Sequence, residues 1–409
     1  MNNSESMDKK CQYDVIVAGD ICLDIIPEIP DSGIRNFNKI ISPGKLLNVN
    51  QATISTGGPV SNTGIALHIL GLKVVLVAQI GDDDFGKLIL KYLKKRKCSS
   101  QGINIANRAT SSYTIAIVIP GFDRIFFHDS GTNDTFNSKD VNYKLVQQSR
   151  IFHLGYPTLM KRLYENDGEE FCTILQQAKQ TGVTTSVDMS LPDPNSSYAQ
   201  ADWQKILEKS LPYIDIFLPS IEEAFYFLEK ENYLKYKSEF NVSELIDQIQ
   251  PEVYTRISSK YIEMGARIVG IKCAHRGIYL RTGPEERLNN MGAAKLSNPQ
   301  KWSNRELWCP AFKAENFGSA TGAGDSSIAG FLAALLNNFS IEKSLKLANC
   351  LGYQNVRKLD AVSGIQSWEE TLNLIENKIL KIKQFKINKP GWHWDGEEEI
   401  WVGPNSGLT

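Results

Sequence analysis

The chain has 409 residues, 45 basic and 46 acidic side chains, a formal net charge of −1 and a 42% apolar content, which gives it ample material for a globular core. The charges are spread evenly, which excludes the basic footprint of a nucleic-acid or anionic-membrane binder. Seven scattered cysteines with no C-x-x-C spacing exclude a disulfide framework or structural zinc, and with no apolar signal core and no run of spanning length the expected location is the cytoplasm.

In chain order, "YDVIVAG" (13–19) is a β-branched run ending in glycine, as expected of a buried strand in a mostly parallel sheet. "SNTGIALHILG" (61–71) offers Ser61 and Asn62 as helix caps, apolar residues at helical spacing and Gly71 as the stop. "KVVLVAQIG", "RIFHLG", "TTSVDMS", "IDIFLPS" and "RIVGIKCA" read as further strands alternating with helical stretches, so the expected fold is a Rossmann-like layered α/β sheet. Two segments, "GKLLNVNQATISTGG" and "SSYTIAIVIPGFDRIFFHDS", alternate polar and apolar residues like strands with one exposed face. They predict a small projecting sheet, a lid drawn from about 24–56 and 110–130. Residues 230–262 and 282–306 are expected to be peripheral insertions.

"FGSATGAGDSSIAGFLAALL" (317–336) sets small residues against one carboxylate, Asp325, at the start of an apolar helix. Helix N-termini expose unpaired N–H groups and a partial positive charge, so glycines there form an anion cradle. Asp325 repels an anion, and its presence makes sense if it takes a proton from the group that attacks a phosphate. As a dinucleotide cradle the stretch is incomplete, because Ser327 stands where G-x-G-x-x-G needs its third glycine and the motif lies far from the first strand.

With "AGDICLD", "STGGPVSNTGIALHILG", "IGDDDFG" and the late Gly-Ala-Gly-Asp in this order, the chain resembles the PfkB (ribokinase-like) carbohydrate kinases over roughly residues 13–370. The resemblance implies one kinase domain over 13–370, followed by a C-terminal helix and Trp-rich tail over 371–409. It implies ATP-dependent phosphorylation of a hydroxyl on a small sugar or sugar-like alcohol, with Asp325 as general base and Gly322, Ala323 and Gly324 forming the anion hole. Asp24, Gly57, Gly58 and Asn62 would face the sugar. Lys272, Gly277, Ala348 and Asn349 would face the nucleotide, and Glu223 with Asp188 would organise Mg²⁺, although Ser220 stands where the family usually has asparagine. Ser319-Ala320 replaces the usual Asp-Thr, so potassium is expected to have little effect on rate. A homodimer through the lid is the implied assembly. A nucleoside kinase and a non-catalytic sugar or nucleotide sensor remain the alternatives. The tail, with Trp392, Trp394 and Trp401, is expected to anchor onto its own domain.

Overall fold

The computed structural model describes residues 11–407 except 34, 35, 121, 123, 124, 195 and 241; part of the predicted lid segment at 121–124 therefore lies outside the described residues. Among the described residues the strands form two sheets, one of eleven and one of four. The large sheet has a parallel part built from β1 (Tyr13–Gly19), β4 (Val74–Gly81), β5 (Ser99–Ala106), β8 (Ser149–Gly155), β9 (Thr184–Asp188), β10 (Ile216–Phe217) and β11 (Ile268–Lys272). An antiparallel part continues it through β12 (Ile278–Thr282), β13 (Glu306–Cys309), β15 (Ile400–Val402) and β14 (His393–Asp395). The small sheet runs β3 (Thr53–Gly57), β2 (Cys22–Ile26), β6 (Tyr113–Ile117), β7 (Ile125–Asp129).

The parallel strands are continuous apolar runs because helices cover both faces: Val15, Ile16, Val17 and Ala18 of β1 are fully buried, with Ile16 and Val17 in the two opposite core clusters. The chain leaves β1 toward β4 and β5 on one side and later returns to β8 and β9 on the other. The order thus reverses between β1 and β8, and in such sheets ligands bind outside the carboxyl ends of the strands at the reversal. Gly19 and Gly155 end these two strands as register partners, and a Cβ on Gly19, whose φ is +125°, would collide with the Gly155 carbonyl.

Several expectations change in detail. The helix expected at 61–71 spans Gly58–Ile69 with Gly57 as its cap, so Ser61 and Asn62 are buried inside it. The Gly57-Gly58-Pro59 sequence starts the helix a turn early, since proline suits a first turn whose N–H groups are unpaired in any case. The stretch 230–262 is largely helical, and Tyr233, Tyr254 and Tyr261 are buried in the main core. The 282–306 stretch likewise seats Leu288, Met291 and Trp302 in the second core cluster. Neither is peripheral; the charged residues between the aromatic anchors mask a helical burial pattern.

Candidate active site

Most polar groups of the site stand at the carboxyl end of a parallel strand or at the helix start facing it, and Asp24 reaches it from the small sheet. Asp20 follows β1, Tyr156 follows β8, Asp188 ends β9, Ser220 follows β10 and Lys272 ends β11. The helix Ala323–Leu336 points its N-terminus at them, capped by Gly322 in the left-handed conformation at φ 75°. A side chain at Gly322 would collide with Ala361, so only glycine allows this turn.

Asp325 is 1% exposed and is gripped from two sides. Asn62 Nδ2 donates to its Oδ2 at 2.9 Å, and Tyr156 Oη donates to its Oδ1 at 3.1 Å. Burial raises its carboxyl above the ordinary range, while the hydrogen bond from Asn62 and the charge of Lys272 pull it back. The N–H of Ala323 is occupied by the carbonyl of Ala320 at 3.2 Å. Those of Gly324 and Asp325 have no acceptor among the described residues. At this helix start the free donors are thus the N–H groups of Gly324 and Asp325, and that of Ala323 is already taken.

Asp24, Gly57, Gly58 and Asn62 converge beside Asp325. In the small sheet Asp24 pairs with Ser55 and Thr114, and a Cβ on Gly57 would collide with the Asp24 carboxylate. Gly58, at φ +78°, makes the same allowance for Asp20. Burial pushes Asp24 up to about 6. Asp20 is pushed up to about 7, by burial first and then by the neighbouring Asp24 and Asp325. The Oδ1 of Asn62 is buried with no partner among the described residues, an open acceptor beside these acids.

On the other side of Asp325, Lys272 forms an ion pair with the fully buried Asp188 and lies against Gly324. Burial works to lower Lys272, but Asp188, Glu223 and Asp325 more than offset it and hold the ammonium charged. Glu223 and Ser220 form a reciprocal capping box on the helix Ile221–Leu228: the Ser220 N–H donates to Glu223 Oε2 at 2.6 Å and the Glu223 N–H to Ser220 Oγ at 3.2 Å. Both residues nonetheless line a cleft of about 1450 Å³ that continues past Lys272, Gly277, Gly324 and Asn349. Asn349 is tied down by donating to the carbonyls of Cys309 (2.9 Å) and Pro310 (3.0 Å). Ala348 is fully buried against Gly330, in the contact between the Ala323 helix and the helix Ile341–Val356, and is absent from the cleft wall.

Three residues of the site were not singled out in the sequence. Asp20 lies within "AGDICLD", four residues before the acid chosen there. Asn133 donates to Asp20 Oδ2 at 2.6 Å from the short 3-10 helix Gly131–Thr135. Tyr156 follows "HLG" and holds φ 57°, a left-handed backbone that costs a non-glycine residue about 1–2 kcal/mol. The available signal was positional: Asp20 and Tyr156 both follow glycine-ended strands flanking the reversal point.

The comparisons agree with this geometry. The family model described as pfkB family carbohydrate kinase matches residues 15–368. The chain is similar to a probable fructokinase-3 of Arabidopsis thaliana, 25% identical over 182 residues, covering 44% of this chain and 48% of that protein. It is also similar to an ATP-dependent 6-phosphofructokinase of Thermoanaerobacterium thermosaccharolyticum, 20% identical over 379 residues, covering 91% of this chain and 97% of that one. The match spans about half the length of the fructokinases. Among solved structures, a ribokinase from Thermotoga maritima superimposes with a TM-score of 0.64 at 19% identity, covering 89% of this chain and 100% of that one. An Arabidopsis thaliana ribokinase complexed with ribose and ATP gives 0.64 at 17% identity, covering 89% and 99%. Such likenesses fix the fold, and with the family model matching most of its length the chain belongs to the pfkB family of carbohydrate kinases.

Proposed function

We propose that this protein transfers the terminal phosphoryl group of ATP to a hydroxyl of a small free sugar or sugar-like alcohol. The observation that carries the reading is the placement of Asp325, buried at the junction of an acid-rich pocket and the long cleft and directly beside two unoccupied helix N–H groups. The Asp325 carboxylate accepts the proton of the attacking hydroxyl. The N–H groups of Gly324 and Asp325 and the Lys272 ammonium face the charge on the transferring group, so positioning and electrostatics do the work without a protein nucleophile.

Asp188 Oδ2 is buried and has no partner among the described residues, a carboxylate oxygen left open next to the cleft, which fits a hard cation. Asp188 and Glu223 would hold Mg²⁺, which supplies charge neutralisation on phosphate oxygens. With Asp20, Asp24 and Asp325 crowded at the acceptor end, a neutral polyol is favoured over a phosphorylated sugar by simple repulsion. Incubation with ATP, Mg²⁺ and a panel of free sugars, nucleosides and sugar phosphates, read as phosphate transfer, tests this. Turnover of a free sugar or polyol is the expected result. Transfer confined to sugar phosphates, or none to any acceptor, overturns it.

We also propose that the small sheet acts as lid and as dimer contact. Its row Asp24–Thr114–His128 follows the strand register on the face that carries Asp24, while Ile54, Ile25, Ile115 and Phe127 form the corresponding row on the opposite face. Phe127 is 60% and Ile54 37% exposed, an apolar stripe on a sheet that gains from a partner surface. Sedimentation should show a dimer at micromolar concentration and a monomer for Phe127→Asp. A monomeric parent protein overturns the assignment.

A further inference from the structure

Beyond the family-matched region the chain turns back onto the cleft. Phe312 and Ile382 form an antiparallel bridge, flanked by a hydrogen bond from the Lys383 N–H to the Ala311 carbonyl at 2.7 Å and one from the Lys313 N–H to the Lys381 carbonyl at 2.8 Å. This pairing sets Lys381 directly opposite Lys313 and brings Lys383, like Lys313, onto the cleft wall. Like charges across a strand pair destabilise it. Yet all three lysines are exposed, and among the described residues none forms an ion pair. Of the other charged groups on that wall, Glu222 accepts from Tyr233 and His275 is paired with Asp247, while Glu315 also lines the cleft.

The segment is held in place from behind. Phe385 and Trp308 both pack against the Arg276 guanidinium, at 4.7 and 4.5 Å from their ring centroids, and Trp401 Nε1 donates to the Phe385 carbonyl at 3.2 Å. Arg276 immediately precedes Gly277, itself on the cleft wall. An arm that places unneutralised lysines along a cleft already lined by Lys272 and the Gly324 helix start is suited to a polyanion.

Building on the reading of this cleft as the nucleotide site, we propose that the C-terminal arm completes it, with Lys383 and Lys313 contacting the phosphates of a nucleoside triphosphate and Lys381 reinforcing their field. The arm thus sets nucleotide affinity and leaves sugar recognition to the opposite pocket. The test is calorimetric titration of the full chain, and of its Lys383→Gln and Lys313→Gln/Lys383→Gln variants, with a non-hydrolysable ATP analogue and with adenosine, at two salt concentrations. Both positions are exposed, so the variants should melt with the parent. The double variant should bind the analogue roughly 10-fold more weakly, with a shallower salt dependence, and bind adenosine unchanged. Equal analogue affinity and salt dependence in parent and double variant overturn the proposal while leaving the kinase reading intact. Equal losses for analogue and adenosine overturn it by showing that the substitutions disturb the cleft as a whole. A parent that binds neither ligand overturns both readings.

Discussion

Asp325→Asn should lower kcat by roughly 10²–10⁴-fold, the range for removal of a general base, while ATP binding survives. The structure shows why the substitution leaves the fold standing. Asp325 accepts from Asn62 Nδ2 and Tyr156 Oη, and an asparagine accepts on only one of its two terminal atoms. The new NH₂ group has an acceptor at hand either way: Asn62 Oδ1 is unpartnered and comes into place when that amide flips, and the Tyr156 hydroxyl accepts as readily as it donates. The cradle N–H groups belong to the backbone and are untouched. Removing one negative charge also relieves Asp20, which burial foremost, and then Asp24 and Asp325, push up to about 7. The pH profile supplies a second readout. Only ionised Asp325 accepts a proton, and burial raises its carboxyl, so kcat/KM of the parent should fall as pH drops through this group. Residual turnover of Asp325→Asn should lack that acid limb. Near-normal turnover by a stably folded Asp325→Asn protein, with the limb intact, would remove Asp325 from the mechanism.

How far the sequence disclosed this site follows from the kind of signal each part carries. The layered sheet was legible because parallel strands buried on both faces are unbroken apolar runs, as in "YDVIVAG", and because glycines mark where the chain must turn tightly. Asp24, Gly57, Gly58, Asn62 and Asp325 were legible as an ordered set of motifs, and they do come together in space, though their roles rest on the proposal above. Asn62 reads locally as a cap, and only the contact with the Ala323 helix reveals that it faces Asp325. Tyr156 acts through one long-range side-chain hydrogen bond to Asp325 and Asn133 through three to Asp20 and Ile21, from segments of no special composition, which no local pattern encodes. The helix opening at Ser220 satisfies the local and the distant reading at once, as a capping box whose acid also lines the cleft. Ala348 illustrates the opposite outcome: a small residue on a helix has a packing explanation, and here it packs.

The tail is the other place where a large effect is expected. Truncation after Lys389 should destabilise the protein by about 4–8 kcal/mol, the sum of losing a buried apolar side chain and leaving a buried charged group short of donors. Ile400 is 1% exposed and belongs to the second core cluster. β15 covers the edge of β13 through Leu307↔Val402 and Trp308↔Trp401, so its removal bares that strand to pairing with other chains. Glu306, fully buried on β13, accepts at Oε2 from the Asn405 N–H at 2.9 Å and Asn405 Nδ2 at 2.8 Å. After truncation that oxygen keeps only Arg281, at 3.4 Å, while Oε1 still accepts from Tyr279 Oη at 2.7 Å and Thr255 Oγ1 at 2.5 Å. Trp392, packed on Tyr279 and Trp308, leaves as well. Against a total stability of about 5–15 kcal/mol, such a loss should appear as a melting point lowered by many degrees or as aggregation at growth temperature. None of the described residues removed lines the cleft, so sugar preference in whatever remains folded should match the parent. A truncated protein that melts with the parent would make the tryptophans surface ornaments, whereas one with altered sugar preference would require the tail to reach the acceptor pocket.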